Sequence, residues 1–356
     1  MYLLHHAELH DFSSEPILKN WSGRLTEQQE LASKQLRLAV SEQRASLVEA
    51  ITGAGKTEIL FESLDYSLKI GWRIALLSPR IDVLCELAPR LLQAFKGLDI
   101  CLLHGKSSQP YHYSQLLLAT THQILRFKAA FDLIIIDEAD AFPLINNQTL
   151  WRAIERAKLL GACTVYLTAT PNWQLKQSAD RRIKLFRRYH GYPLVKLEVF
   201  ITSDWRKALP VKLKEYLIDN QASAQQLLLF VPTIADIRLV LEQLKEQYGE
   251  QIVGLHAADT ERLEKVAAFR LKEITILVTT TVLERGVSFS NVDVIILGAD
   301  EAVFNSATLM QIVGRVGRHQ DYPNGRAWAF VKEHTWRLKQ VCNKIRRINR
   351  IGRQNL

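Results

Sequence analysis

Cysteine is sparse in this chain, and its placement is informative. Cys85, Cys101, Cys163 and Cys342 are scattered and form no Cys-x-x-Cys pair. That excludes a zinc knuckle of the usual spacing and a disulfide framework, and it fits a reducing cytosol. No apolar run approaches the roughly eighteen residues of a spanning helix. The opening Met1–His6 lacks the basic region and long apolar stretch of a secretory signal. No period repeats and no segment is low in complexity. His5, His6 and His10 have no cysteine nearby and no recognised metal-ligand spacing, and they are not read as a metal site.

Basic residues outnumber acidic ones, 46 to 37, for a formal charge of +9. An excess of that sign favours phosphate backbones or anionic surfaces as partners. The hydrophobic share of 47% and charged share of 23% are globular values. A chain of 356 residues suggests two domains of roughly 150–180 residues each.

The stretch that organises the rest is Glu49-Ala-Ile-Thr-Gly-Ala-Gly-Lys-Thr57. An apolar strand leads into it and a helix-like stretch, 57–68, follows. Gly53 and Gly55 let the backbone curl so that N–H groups from Thr52 to Gly55, Ala54 included, face phosphate oxygens. Lys56 adds a point charge and the Thr57 hydroxyl suits Mg²⁺. The common pattern has glycine at position 50, where this chain has Ala50. Just upstream, Thr26 with Gln29 reads as a helix cap, and Gln28 or Gln29 is placed to read an adenine edge.

From Lys56 onward short apolar runs alternate with amphipathic stretches, the rhythm of a parallel sheet covered by helices. Strands are expected near 73–78, 100–103, 115–119, 133–136, 164–167 and 182–186. After His190-Gly-Tyr-Pro193, which reads as a hinge, a second alternation runs to a basic C-terminal helix. The expected organisation is α/β: residues 1–21 a tail or remnant, then two similar units, 22–190 and 194–356. Only the first carries the phosphate loop.

Leu133–Asp140 ends a buried strand in Asp137-Glu-Ala-Asp140, on the ligand side of an open α/β sheet. Asp137 suits Mg²⁺ opposite Thr57, Glu138 suits a general base for water, and Asp140 an orienting or relay role. Thr168 and Thr170, in Leu167-Thr-Ala-Thr-Pro171, can bond those carboxylates and sense the nucleotide state. In the second unit, Gln311-Ile-Val-Gly-Arg-Val-Gly-Arg318 is expected on a helix with Arg315 and Arg318 on one face, reaching a γ-phosphate across a cleft. Thr279–Gly286 follows another strand. Pro79, Arg80, Thr120, Thr121, His122, His256, Thr279 and Thr280 are candidate nucleic-acid contacts at strand ends. Two basic runs, 181–188 and 332–350, are candidates for the same polymer or for solvated surface. Seven tryptophans and ten tyrosines allow base stacking without the sequence choosing one; Phe142 and Trp173, close to these motifs, are the aromatics to watch.

In this order, the phosphate loop, Asp-Glu-Ala-Asp, Thr-Ala-Thr and Gln-x-x-Gly-Arg-x-Gly-Arg resemble a superfamily 2 helicase-type motor, in which alanine at position 50 is normal. Trp21-Ser-Gly-Arg-Leu-Thr26, Asp137–Pro143, Thr279–Gly286 and Asn291-Val-Asp-Val294 are similar to the ComFA late competence proteins, relatives of the primosomal helicase PriA. The resemblance covers about 21–350. It implies two tandem RecA-like domains of the P-loop NTPase type and an ATPase stimulated by single-stranded DNA. Such a protein works in the cytoplasm at the inner face of the membrane, drawing transforming DNA through a ComEC-like channel with a ComFC-like partner. The alternative within the enzymes is a PriA-like helicase of replication restart or repair.

On that pattern Lys56, Thr57, Asp137 and Glu138 bind and hydrolyse Mg·ATP. Thr168 and Thr170 couple hydrolysis to movement, Arg315 and Arg318 act as fingers, and Gln311, Glu284 and Gly286 complete the site. The family commonly carries a four-cysteine zinc module ahead of the motor, and these residues contain no such spacing. Zinc-dependent contacts are therefore not expected of them.

Overall fold

The computed structural model describes residues 4–5, 12, 17–105, 107, 110–223, 225–281 and 289–354. It divides into two compact units, Met1–Tyr189 and His190–Leu356.

The first unit holds β1 (Leu4–His5), β2 (Leu18–Lys19), α1 (Glu27–Ser41), β3 (Ser46–Ala50), α2 (Phe61–Lys69), β4 (Ile74–Ser78), α3 (Ile81–Ala94), β5 (Phe95–Lys96), β6 (Ile100–Leu103), β7 (Leu116–Thr120), β8 (Phe127–Lys128), β9 (Phe131–Ile136), α4 (Gln148–Ala157), β10 (Lys158–Thr168), α5 (Trp173–Gln177) and β11 (Arg181–Leu185). Seven strands form the central sheet in the order β11-β3-β10-β9-β4-β7-β6. Every pairing in it is parallel. Strands β4 and β9 read as near-continuous apolar runs because helices cover both faces of such a sheet. All seven strands therefore end at one edge, where β3, β9 and β10 deliver the phosphate loop, Asp137–Asp140 and Thr168–Thr170 side by side. The core between this sheet and its helices includes Leu77, Leu117, Ile134, Ile136, Leu150 and Tyr166.

Two features depart from the sequence expectation. Strand β10 begins at Lys158, not near Thr164; Gly161, at φ +81°, turns the early part of the strand, and Leu160 there is fully exposed. The N-terminal segment expected to be a tail is stitched to the first unit. Strand β1 pairs in parallel with β8, β2 pairs antiparallel with β5, and the Phe12 ring stacks on Tyr113 at 5.5 Å. Tyr113 in turn covers Arg73, a fully buried guanidinium also held by the Ser114 carbonyl and the Tyr111 hydroxyl.

The second unit holds β12 (Leu197–Ile201), α6 (Val211–Ser223), β13 (Gln226–Phe230), α7 (Ile234–Tyr248), β14 (Ile252–Leu255), α8 (Arg262–Arg270), β15 (Ile276–Thr279), β16 (Val292–Leu297), α9 (Ser306–Val313), β17 (Ala327–Val331) and α10 (Trp336–Gln354). Its six strands run β12-β17-β16-β13-β15-β14, again all parallel. Thr233 and Asp236 form a capping box at the start of α7. Arg206 adds a two-pronged ion pair to Asp236 at 2.6 and 2.9 Å and reaches Glu301 at 2.9 Å. Burial alone would raise the Asp236 pKa. The Arg206 and Thr233 bonds outweigh it and hold the carboxyl below its ordinary range.

Candidate functional site

The phosphate loop leaves β3 and enters a single 3₁₀ turn, Glu58–Leu60, before α2. Gly53 and Gly55 sit at φ +80° and +79°, a region open to glycine without strain. The loop is curled on itself: the Ala54 N–H donates to the Ile51 carbonyl at 3.2 Å. That donor is therefore turned inward rather than out toward a phosphate, contrary to the sequence expectation.

Gln29 holds the loop in this shape. Its Oε1 accepts the Thr26 N–H at 2.9 Å, completing a capping box, while its Nε2 donates to the Ala54 carbonyl at 2.9 Å. Of the two glutamines considered from sequence, Gln29 is thus the one on the loop. Gln28, half-buried, keeps an Oε1 with no hydrogen-bond partner among the described residues. Arg90 pairs with Glu58 at the foot of the loop, a contact with no signature in the sequence.

Opposite stands the end of β9. Lys56 Nζ lies 3.7 Å from Asp137 Oδ1, which also accepts the Glu138 N–H at 2.9 Å. Glu138, at φ +52°, is largely buried and its Oε2 lies 3.7 Å from Arg80 Nε. Arg80 was expected to meet a nucleic-acid backbone, yet its guanidinium faces the candidate base. The carboxylate of Asp140 is held at both oxygens: Thr168 Oγ1 donates to Oδ1 at 2.6 Å and Thr170 Oγ1 donates to Oδ2. The Thr170 N–H then donates to Thr168 Oγ1 at 3.0 Å. The ends of β9 and β10 are therefore tied by charge-assisted bonds, the strongest ordinary class.

The Thr57 hydroxyl and Asp137 carboxylate are hard oxygen donors of the kind Mg²⁺ selects, and Asp137 retains partial exposure. Among the described residues no cluster of three or more histidines, cysteines or carboxylates could hold a metal by protein ligands alone. A cation bound largely through nucleotide phosphates needs no such cluster.

In the second unit, α9 is capped by Asn305, whose Oδ1 accepts the Ala307 and Thr308 N–H groups. Gln311 lies buried on this helix. The helix stops at Val313, so Arg315 and Arg318 do not share its face as expected. They stand on the turn after it, where Gly317 takes φ +66°, which a continuing helix does not permit. Arg315 is buried, and Arg318 Nε donates back to the Gly314 carbonyl at 3.2 Å.

The other candidate contacts divide. Pro79, Thr120, Thr280 and the exposed His122 remain at strand ends with accessible surface. Thr121 and Thr279 are fully buried, and the Thr279 hydroxyl donates to the Thr280 carbonyl, so neither presents a hydroxyl to a polymer. Both follow or end apolar strands whose packing draws them inward. His256 is half-buried with Nδ1 facing inward. Glu284 and Gly286 lie outside the described residues. In the basic run 181–188, Arg181 pairs with Glu42 and Arg182 donates to the Lys176 carbonyl, whereas Arg188 is buried against Gly53. Phe142 and Trp173 are strongly exposed at the active edge, 83% and 69%.

Two family models match: "Type III restriction enzyme, res subunit" over 22–173 and "Helicase conserved C-terminal domain" over 209–320. Competence protein ComFA of Streptococcus pneumoniae is 40% identical over 357 residues, 98% of this chain and 82% of that protein. Its counterpart in Bacillus subtilis is 36% identical over 345 residues, 94% and 74% of the respective chains. Among solved structures, the Mycobacterium smegmatis helicase Lhr bound to ssDNA and AMP-PNP superposes with a TM-score of 0.64 at 16% identity. That match covers 93% of this chain and 50% of the other, and it speaks for the fold: two RecA-like α/β domains. With its phosphate loop, Asp-Glu-Ala-Asp edge and arginine turn in place, the chain belongs to the ComFA family of competence proteins, within the superfamily 2 helicase-type ATPases that act on nucleic acid.

Proposed function

We propose that the protein is an ATP-driven motor on single-stranded DNA that draws transforming DNA across the cytoplasmic membrane. The observation that carries a motor over a static clamp is the Asp140–Thr168–Thr170 network. It fastens the hydrolytic carboxylates to the next strand end, so a change at the nucleotide is felt across the active edge.

Lys56 and the backbone N–H groups of Thr52–Gly55 take the β- and γ-phosphates once the loop uncurls. Thr57 and Asp137 would hold Mg²⁺, which supplies charge neutralisation on the phosphates when bound. Glu138 accepts the proton of the attacking water and needs only hydrogen-bond reach to do so. Arg80 beside it restrains the carboxylate until that water arrives. Arg315 and Arg318 stabilise charge on the transferring phosphoryl group, the role of arginine fingers in this chemistry. By the family relation, Gln311, Glu284 and Gly286 would also serve nucleotide binding.

Polymer contacts fall to Pro79, Thr120, His122, His256 and Thr280, supported by the family relation and by the +9 charge. A ComEC-like channel and a ComFC-like protein are the partners this reading implies. Residence at the inner membrane face would be peripheral, since no helix among the described residues is long and apolar enough to cross a membrane.

The test is ATP turnover by the wild type and Glu138→Gln, with single-stranded DNA, duplex DNA and RNA. Stimulation by single-stranded DNA that disappears in Glu138→Gln is the expected result. Equal turnover with and without every polymer would overturn the motor reading. Robust displacement of an annealed strand would move the assignment toward a PriA-like helicase.

A further inference from the structure

Two consecutive residues at the boundary of the units each grip a functional loop of their own unit. Tyr189 is the last residue of the first unit, and its N–H donates to the Gly53 carbonyl, at the crest of the phosphate loop, at 3.1 Å. The preceding residue reinforces that grip. Arg188 is 1% exposed, and its Cγ, Cδ and Nε lie 3.6–3.7 Å from where a Cβ on Gly53 would stand. The Ile51 N–H also donates to the Leu185 carbonyl at 3.1 Å, so residues 185–189 run alongside the loop from entry to crest.

His190, the first residue of the second unit, reaches the arginine turn of that unit. Its Nε2 lies 3.1 Å from the Gly317 carbonyl, between Arg315 and Arg318 in sequence. Its Nδ1 accepts the Tyr192 N–H at 3.2 Å. An acceptor at Nδ1 fixes the neutral tautomer with the proton on Nε2, which makes Nε2 the donor to Gly317. Both nitrogens are thus committed, and the ring is oriented by its own backbone two residues on.

We infer that Tyr189–His190 is a clasp: one peptide bond joins an anchor on the phosphate loop to an anchor on the arginine turn. The Gly53 carbonyl and the Ala54 N–H belong to one peptide unit, so turning that N–H from Ile51 toward a phosphate turns the carbonyl that Tyr189 holds, and the movement is passed along the chain to His190 and Gly317. His190 is then a positioning residue, acting through Gly317 on Arg315 and Arg318 without touching the nucleotide. The inference rests on the ATP site alone and is independent of which polymer the motor follows.

Three variants test it. His190→Ala removes the donor to Gly317, His190→Gln keeps an N–H at similar reach, and Tyr189→Pro removes the N–H that holds Gly53. ATP turnover and the affinity for a fluorescent ADP analogue are measured without and with single-stranded DNA. His190→Ala should lose about fivefold or more in kcat at unchanged melting temperature, with ADP affinity within about twofold of wild type. His190→Gln should recover most of that loss, and Tyr189→Pro should weaken ADP binding as well. A His190→Ala enzyme with wild-type kcat, or a loss that glutamine does not relieve, would overturn the clasp. Amide exchange in the peptide covering 311–320 gives an arm that needs no turnover. Its response to ADP·beryllium fluoride should be blunted by Tyr189→Pro, and an unaltered response also counts against the clasp. A wild type that turns over ATP yet ignores DNA would defeat the motor reading and leave this test intact.

Discussion

Replacing Thr168 with valine is the sharpest perturbation of the active edge, because the two side chains match in shape and differ in one hydroxyl. Thr168 is fully buried, and its hydroxyl does two things: it donates to Asp140 Oδ1 at 2.6 Å and accepts the Thr170 N–H at 3.0 Å. Loss of a hydrogen bond to a charged group costs about 1.5–3 kcal/mol, and a polar group left unsatisfied adds a further penalty of about 1–3 kcal/mol. The two terms share one atom and are not additive, so roughly 2–4 kcal/mol is expected for the first unit. For a unit of this size each kcal/mol lowers the melting temperature by about 2–4 °C. Calorimetry should therefore show one of two unfolding steps lowered by about 4–16 °C. The functional arm is separate: ADP affinity should hold while stimulation of turnover by DNA drops, because Asp140 then loses its direct bond to the end of β10 and keeps the one from Thr170. A shift under about 1 °C would mean that the network contributes no stability, and the relay argued from it would fall.

Other outcomes follow from single contacts. Gly55→Ala places a Cβ 2.2 Å from Gln29 Nε2 at φ +79°; ATP affinity should fall more than tenfold in a nucleotide titration, and Gln29→Ala should relieve only the steric part, not the backbone strain. Asp236→Asn should destabilise the second unit by about 2 kcal/mol near neutral pH, since it loses charge-assisted bonds to Arg206 and Thr233. The folded Asp236 pKa is depressed, so its contribution is complete above the ordinary carboxylate pKa of about 3.9 and is lost as pH falls through the lower folded value. Denaturant titrations across pH should thus show the difference between wild type and variant constant above about pH 5 and vanishing in stronger acid. Tyr216→Phe removes a 2.9 Å bond to the buried Asp293, and about 1.5–3 kcal/mol of destabilisation is expected in a urea melt.

The sheets and the motif order were legible because both are written locally. Continuous apolar runs such as Phe131–Ile136 announce buried parallel strands, and glycines with a lysine announce a phosphate loop. What depended on packing was not. Thr121 and Thr279 look like surface hydroxyls in sequence, yet neighbouring strand residues pull them inside. Arg188 sits in a run of five basic residues that reads as solvated surface, and nothing local tells that its stem lies on Gly53. The end of α9 was misjudged for a different reason. Gly314 and Gly317 were read as part of a helical spacing, whereas the positive φ of Gly317 belongs to a turn. The N-terminal segment gave no periodic signal, because its pairings involve two residues each.

The parallel sheet of the first unit also offers an experimental handle. Since every strand ends at the active edge, the strand starts lie at the opposite pole, some 15–20 Å away for strands of five or six residues. Leu160, at 105% exposure beside the Gly161 turn, projects at that pole. A cysteine placed there would carry a dye or a surface tether clear of the phosphate loop. Cys101 and Cys163 are buried, and burial raises the thiol pKa of both, Cys163 to about 12, which leaves them poorly reactive. With Cys85 and Cys342 replaced, a Leu160→Cys protein would take one label, and its binding to nucleic acid could be followed one molecule at a time.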